Sequence, residues 1–271
     1  MKVLPLLILA CILNDRINEA IEYLLELKDL SGNHNSRCGR AWYFILAMEL
    51  MLVSCHPIES FSQCQMFVSV YLRNYDVVQD ENIPRFYAAM DMAVWYCRQC
   101  DWKNGQRWFD YWENYQPDQK ILPAALGRLK KLECMLISLW KAIDANIEHS
   151  VNRMEPVIGK EISQMKSVVK QVRGIRPRFY HLLAYFHMLK RQNSKAKKYL
   201  MMSMTCAEKQ ENKLDFKWAL NSRTKWMRPS LVNSQKYDWN TMVKIHSLEW
   251  KLISSNSEII HHFPLPGKCS L

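Results

Sequence analysis

The stretch Pro177-Arg178-Phe179-Tyr180-His181-Leu182-Leu183-Ala184-Tyr185-Phe186 decides the fold class of this chain. Pro177 suits the first turn of a helix, and apolar and aromatic side chains then recur at helical spacing. The polar run Arg191-Gln192-Asn193-Ser194 ends that segment, and Ala196-Lys197-Lys198-Tyr199-Leu200 starts another helix. Helix, short polar turn and second helix together make half of a helical-repeat unit.

Working outward, the same helical spacing runs through nearly the whole chain. Ile17, Ala20, Ile21, Leu24, Leu25 and Leu27 form one stripe, in a helix predicted over Ile17–Leu30. A nearly all-round apolar helix around Trp42–Leu52 must be buried on most faces. Helices follow at Phe61–Leu72, after Pro84, and at Trp102–Tyr115, the last ended by Gln116-Pro117. Ile121 to about Glu148 reads as one long helix and Glu155–Val172 as the next, with a corner at Arg173–Pro177. Phe179–Leu189, Ala196–Lys209, Leu214–Met227 and Trp239–Ile253 complete the series, and 254–271 reads as a loose tail.

A faint repeat aligns Ala20, Gly105 and Ala196. Each follows a polar turn and precedes an aromatic side chain, Tyr23, Trp108 or Tyr199, by three positions. A small residue lets two helices approach, and the ring one turn on fills the gap to the neighbouring pair. Seven glycines are few for hairpin-rich β folds. The expectation is an all-α chain: five or six antiparallel helix pairs in a curved, TPR-like (tetratricopeptide-like) solenoid. It occupies 1–253, with a weak division near 117–120.

The 271 residues carry a formal net charge of +11. Residues 1–135 hold 14 Lys+Arg against 16 Asp+Glu, or −2; residues 136–271 hold 23 against 10, or +13. Lys166, Lys170, Arg173, Arg176, Arg178, Lys190, Arg191, Lys195, Lys197 and Lys198 form the candidate basic surface. It reads either as a solvated helix face or as a contact surface for an acidic partner or lipid. No zinc finger or aromatic-rich RNA signature accompanies it, so nucleic acid is the disfavoured partner.

Nine cysteines, mostly within apolar helical stretches such as those of Cys11, Cys38, Cys55, Cys64, Cys134 and Cys206, suit a reducing compartment and a cytoplasmic location. Met1-Lys2 followed by Val3–Leu13 reads either as a secretory signal or as a repeat helix; the helix fits the repeat better. No segment reaches the roughly 18 apolar residues of a membrane span.

The sequence holds no catalytic set, no cofactor motif and no metal-ligand set. Cys97-x-x-Cys100 has redox or metal spacing but stands alone, and packing beside Trp95 and Trp102 is the simpler duty. His181 and His187 lie six apart on one helix and point to different faces, so His181 is expected to hydrogen-bond in the core. His261-His262 sits in the polar tail. Asp91, Asp101 and Asp110 read as single surface or capping carboxylates.

The Pro-Arg-Phe-Tyr-His-Leu-Leu-Ala-Tyr wording of 177–185, its turn, its short second helix and the following Trp218-Ala219-Leu220-Asn221 with Trp226 resemble the C-terminal region of the soluble adenylyl cyclase (adenylate cyclase type 10) family. Ala93-Val94-Trp95-Tyr96 with Asp101-Trp102 is a second similar block. In that family two cyclase domains come first, then an NTPase-like region, then a long helical region. Only the last resembles this chain, and no catalytic or bicarbonate-binding residue carries over. The resemblance implies a non-catalytic, protein-binding module in cAMP signalling. Its concave surface and basic half would contact a protein partner, such as a cyclase catalytic region, in the cytoplasm, a cilium or a flagellum. The alternatives are a segment of a full-length adenylate cyclase and a basic adaptor for acidic lipid or nucleic acid.

Overall fold

In a computed structural model of the chain, residues 3–54, 57–73, 82–110 and 121–227 are described, and among them every regular element is helical. Eleven α-helices follow in order: α1 Leu4–Leu13, α2 Ile17–Asn33, α3 Arg37–Ser54, α4 Phe61–Arg73, α5 Asn82–Arg98, α6 Trp102–Asp110, α7 Leu122–Asp144, α8 Glu148–Gln171, α9 Arg176–Leu189, α10 Asn193–Lys209 and α11 Lys213–Met227. A 3₁₀ turn, Arg173–Ile175, makes the corner before α9. The helix expected at Trp239–Ile253, the tail and His261-His262 lie outside the described residues.

Six turns share one geometry. The second residue before the next helix adopts the left-handed conformation: Asp15, Asn35, Cys100, Asn146, Arg191 and Glu211, with φ between 47° and 61°. The amide after each reaches back five residues, as in Arg16 N to Cys11 O (2.9 Å), Gln192 N to His187 O (2.8 Å) and Asn212 N to Ala207 O (2.9 Å). This is the Schellman motif, which satisfies the last carbonyls of a helix. None of the six is glycine, so each turn carries left-handed strain of about 1 kcal/mol.

The repeat deepens at the helices that follow. The fourth residue of each even-numbered helix is small or slender: Ala20, Cys64, Gly105, Val151 and Ala196. Three positions on stand Tyr23, Phe67, Trp108, Met154 and Tyr199, all half-buried against the core. A Cβ on Gly105 would meet Cys97 Sγ at 3.1 Å, which shows how closely α6 lies on α5. Gly127 is tighter still: its Cβ would meet Phe86 Cε1 at 2.8 Å, so α7 presses on α5 where only hydrogen fits.

Consecutive odd-numbered helices pack side by side, and each even-numbered helix lies on the outside as an amphipathic cover. The curvature is tight enough that α11 packs on α1, where Lys217 Nζ meets Asp15 Oδ2 at 2.5 Å. The inner helices are consequently buried almost all round. In α5 every residue from Ile83 to Cys97 is buried, and most of α9 is as well. Leu4–Leu13 takes its place in this circuit through buried Ile8, Leu9, Cys11 and Ile12.

One boundary corrects the sequence reading. The stretch expected as a single helix to about Glu148 breaks at Ala145–Ile147, and α8 begins at Glu148 rather than Glu155. Asn146 supplies the left-handed turn with no glycine or proline to announce it. Pro156, next to the expected start at Glu155, lies inside α8 on its exposed side, where the ring costs one backbone hydrogen bond.

Candidate interaction surface

Ionisable side chains project from the inner helices into the centre of the circuit, and they find one another there. Lys130 of α7 donates to Glu49 Oε2 of α3 and lies 2.5 Å from Asp91 Oδ1 of α5. Arg178 of α9 pairs with Asp215 of α11 at 3.1 Å and reaches Glu49 Oε1 at 3.9 Å. Tyr87 donates to Glu49 (3.0 Å), the Arg178 guanidinium lies 4.5 Å from the Trp218 ring centre, and Asn212 donates to Asp215 (2.7 Å). Two further buried pairs, Arg98–Glu133 and Arg128–Glu161, both at 2.7 Å, fasten α5 to α7 and α7 to α8.

The electrostatics sort these groups. Burial would raise the Glu49 carboxyl, but the Lys130 and Arg178 charges overcome it and hold it below the ordinary value. Burial would lower Lys130, and its two carboxylate neighbours raise it instead. Asp91 goes the other way: burial pushes it up to about 8, and Lys130 offsets only part of that. Neither Asp91 oxygen receives a well-directed hydrogen bond, whereas Glu49 does. Lys130 thus lies between two carboxylates, and burial makes Asp91 the one that holds a proton more readily than Glu49.

Two expectations fall here. Asp91 is 1% exposed, not a surface or capping carboxylate, because α5 is enclosed on every side. Arg178 is 6% exposed and leaves the basic surface, because α9 turns it inward onto Asp215 and Trp218. The inner side of the curve is thus occupied by its own charge pairs, and the expected concave contact surface is closed. His181 behaves as expected: it is fully buried, with Nε2 2.7 Å from Ser222 Oγ, and burial followed by the Arg178 charge lowers it to about 3. Asp101 caps α6, accepting from Asn104 N at 3.2 Å.

The other predicted cations lie outside, on α8, α10 and the corners they flank. Lys166, Lys170, Arg173, Arg191, Lys195, Lys197 and Lys198 are exposed, and among the described residues none has an ion-pair partner. Arg176 is half-buried and donates to Val169 O and Lys170 O (3.0 and 3.1 Å), closing the end of α8. Lys190 is paired with Glu155.

These residues gather at the two ends of α9, with Lys166 of α8 between them: it stands one turn from Lys170, and its charge reaches His187. Arg176 and Lys190 stand at opposite ends of α9, about 20 Å apart at 1.5 Å per residue. That exceeds the ~8 Å screening length of physiological salt. One patch gathers Lys170, Arg173 and Arg176 at the α8–α9 corner. The other gathers Lys190, Arg191, Lys195, Lys197 and Lys198 around the α9–α10 turn.

The second patch has an aromatic floor that the sequence reading missed. His187 stacks on Tyr199 (5.2 Å, 8°), and Tyr199 stacks on Tyr180 (6.4 Å, 13°), all three half-buried. Burial lowers the His187 pKa, its hydrogen bond to Gln192 (2.9 Å) opposes that, and the Lys195, Lys190 and Lys166 charges lower it further. The i, i+12 spacing of His187 and Tyr199 across a turn was the available signal.

Among the described residues no group of three His, Cys, Asp or Glu side chains is placed to hold a metal ion. Cys97 is buried and Cys100 lies in the α5–α6 turn, with Cys100 N bonded to Cys97 O at 3.1 Å, so the pair serves packing and turn geometry. Cys38, expected within an apolar stretch, is exposed. An apolar cleft of about 650 Å³ between α6 and α8 is walled by Trp102, Phe109, Met135, Met154 and Ile158, with Lys141 held over Trp102 at 4.4 Å. No described helix is long and apolar enough to cross a membrane.

Comparison with known proteins gives one consistent likeness. The chain is 23% identical over 257 residues to adenylate cyclase type 10 of Homo sapiens, a match covering 92% of this chain and 15% of that protein. It is 24% identical over 264 residues to the Oryctolagus cuniculus protein of the same name, with the same 92% and 15% shares. The Mus musculus protein of that name is 23% identical over 236 residues, 83% of this chain and 14% of its own length. The chain thus spans about 15% of the length of the relatives it matches. No family model matches, and no solved structure matches.

Proposed function

We propose that this chain is a non-catalytic, TPR-like helical-repeat module that binds protein in cAMP signalling, and that its contacts lie on the outer basic face. The observation that carries this is the α9–α10 turn. Between residues 190 and 198 there are five cations and no carboxylate, four of those cations are exposed, and an aromatic stack lies beside them. Inner-helix charges cancel by mutual pairing, so uncompensated charge stands on the outside, where it steers an acidic partner and sets specificity.

The likeness to adenylate cyclase type 10 points to a cyclase catalytic region as the partner, in the cytoplasm, a cilium or a flagellum. A second reading follows from the match covering 92% of this chain but 15% of its relatives: the same module serves within a longer adenylate cyclase that makes cAMP elsewhere in its sequence. A basic adaptor for acidic lipid or nucleic acid is the third.

The test is equilibrium binding of the purified chain to the catalytic region of adenylate cyclase type 10 at several salt concentrations. Binding is expected, and the triple change Lys195→Glu, Lys197→Glu, Lys198→Glu is expected to weaken it about tenfold, mostly through the association rate. The chain alone, with ATP, manganese and bicarbonate, is expected to make no cAMP; turnover by the chain would overturn the reading. Binding to acidic vesicles or single-stranded RNA but not to protein would transfer the assignment to the adaptor.

A further inference from the structure

The turn at the heart of the basic patch carries a hydroxyl. Ser194 is exposed, it is the second residue of α10, and it stands in Lys190-Arg191-Gln192-Asn193-Ser194. Arginine three positions before serine is the spacing read by arginine-directed serine kinases, whose acidic subsites select substrates by charge pattern. Across the 271 residues, that Arg-x-x-Ser spacing occurs at this position alone.

The local structure makes the hydroxyl available. Gln192 stands at the N-cap of α10, yet its side chain caps nothing, because His187 Nδ1 holds Gln192 Oε1 at 2.9 Å. The first amide of the helix with a backbone partner is Ala196 N, bonded to Gln192 O at 3.0 Å. Those of Asn193, Ser194 and Lys195 precede the ladder, so the first turn opens at little cost to a kinase that needs an extended strand. Arg191, in its left-handed turn with φ 56°, is exposed beside it.

We propose that Ser194 is a phosphorylation site for an arginine-directed serine kinase, and that the phosphate weakens the cationic turn. The γ-phosphoryl group passes from magnesium-bound ATP to Ser194 Oγ. The bond between the γ-phosphorus and the ADP oxygen breaks as the new O–P bond forms, ADP leaves, and the hydroxyl proton goes to the base of the kinase. The product carries a charge of about −1.5 to −2. It sits among Lys190, Arg191, Lys195, Lys197 and Lys198, with the unpaired amides of the first turn as further donors. The helix is better capped afterwards, and the formal charge of the patch falls from +5 to about +3 to +3.5. The effect on partner binding rests on the function proposed above; the modification itself does not.

The experiment is incubation of the full chain with a purified arginine-directed serine kinase and magnesium ATP, followed by mass mapping of phosphorylated residues. One phosphate on Ser194 is expected, absent in Ser194→Ala and formed about tenfold more slowly in Arg191→Gln. A synthetic peptide of residues 187–198 runs in parallel. If the peptide is modified and the folded chain is not, the fold withholds the serine and the proposal fails. If neither is modified, or another serine takes the phosphate while Ser194 stays bare, it fails as well. On cation exchange the phosphorylated chain is expected to elute at lower salt than the unmodified chain. An unchanged elution overturns the weakening, and loss of partner binding by both forms sinks the functional reading while leaving the modification intact.

Discussion

Asp91 is the side chain whose replacement tests the interior most directly. The centre of the circuit holds Glu49 with Lys130 and Asp215 with Arg178, two anions against two cations, and Asp91 is the fifth group. Its carboxyl is raised from 3.8 to about 8, chiefly by burial. A carboxyl raised on folding leaves stability untouched below its unfolded value and costs stability as the pH climbs from the unfolded to the folded value, because the folded chain there binds the proton more tightly than the unfolded chain. Below about pH 4 Asp91 is protonated in both states and adds nothing. Between about pH 4 and pH 8 the folded chain must hold a proton that the unfolded chain releases, and the deficit grows by 1.36 kcal/mol per pH unit. Above about pH 8 it levels off, on the order of 5 kcal/mol, reduced by whatever structure the unfolded chain keeps.

Asp91→Asn puts a neutral group of the same shape in place. The variant is expected to match the parent near pH 4, to exceed it by about 1.5 kcal/mol at pH 5, and to gain steadily to a plateau above about pH 8. Urea unfolding followed by far-ultraviolet circular dichroism, repeated across that range, measures the gap. A gap that does not change with pH would refute the assignment of Asp91 as the protonated member. A variant less stable than the parent at pH 8 would refute it more strongly, since it would mean that Lys130 serves Asp91 rather than Glu49.

Three further changes probe the packing and the turns. Gly127→Ala is expected to cost about 2 kcal/mol, because its Cβ would stand 2.8 Å from the Phe86 ring. Adding Phe86→Leu to that variant should recover part of the loss, and strict additivity in urea midpoints would count against the contact. Glu211→Gly is expected to stabilise by about 1 kcal/mol, since the residue holds φ 54° in a Schellman turn; a lower midpoint would contradict that turn. Lys130→Met is expected to destabilise by about 3–5 kcal/mol at neutral pH, by stranding the Glu49 carboxylate, and Glu49→Gln beside it should restore most of that.

Helical spacing identifies most elements because outer helices such as α2 show water one face and the core the other. It fails where a helix is wrapped. On α5 and α9 nearly every position is buried, so periodicity says nothing about which way Asp91 or Arg178 points. The signal that was available is a charged residue inside an unbroken apolar run, as in Ala88-Ala89-Met90-Asp91-Met92 and Ala47-Met48-Glu49-Leu50. Such a charge needs a buried partner, and the partners lie 39 to 129 residues away, beyond any window of local sequence. The small residue at the fourth position was legible at Ala20, Gly105 and Ala196. At Cys64 and Val151 the larger side chain hid the same role. The break at Asn146 was hidden because asparagine also tolerates a helix interior, whereas the left-handed turn needs neither glycine nor proline.

The closure of the circuit decides which surface is left for a partner. In an open array the inner helices would present their charges to a ligand. Here Glu49 alone is shared by Lys130 and Arg178, from helices two and three places further round, and Asp15 and Lys217 tie the first turn to α11. Opening the inner face would strand several buried charges at once, each at a cost of several kcal/mol, which exceeds the 5–15 kcal/mol that stabilises a typical domain. A partner that binds without unfolding the chain therefore meets the outer helices. Of those, the α9–α10 turn offers the densest uncompensated charge, with Ser194 in its centre.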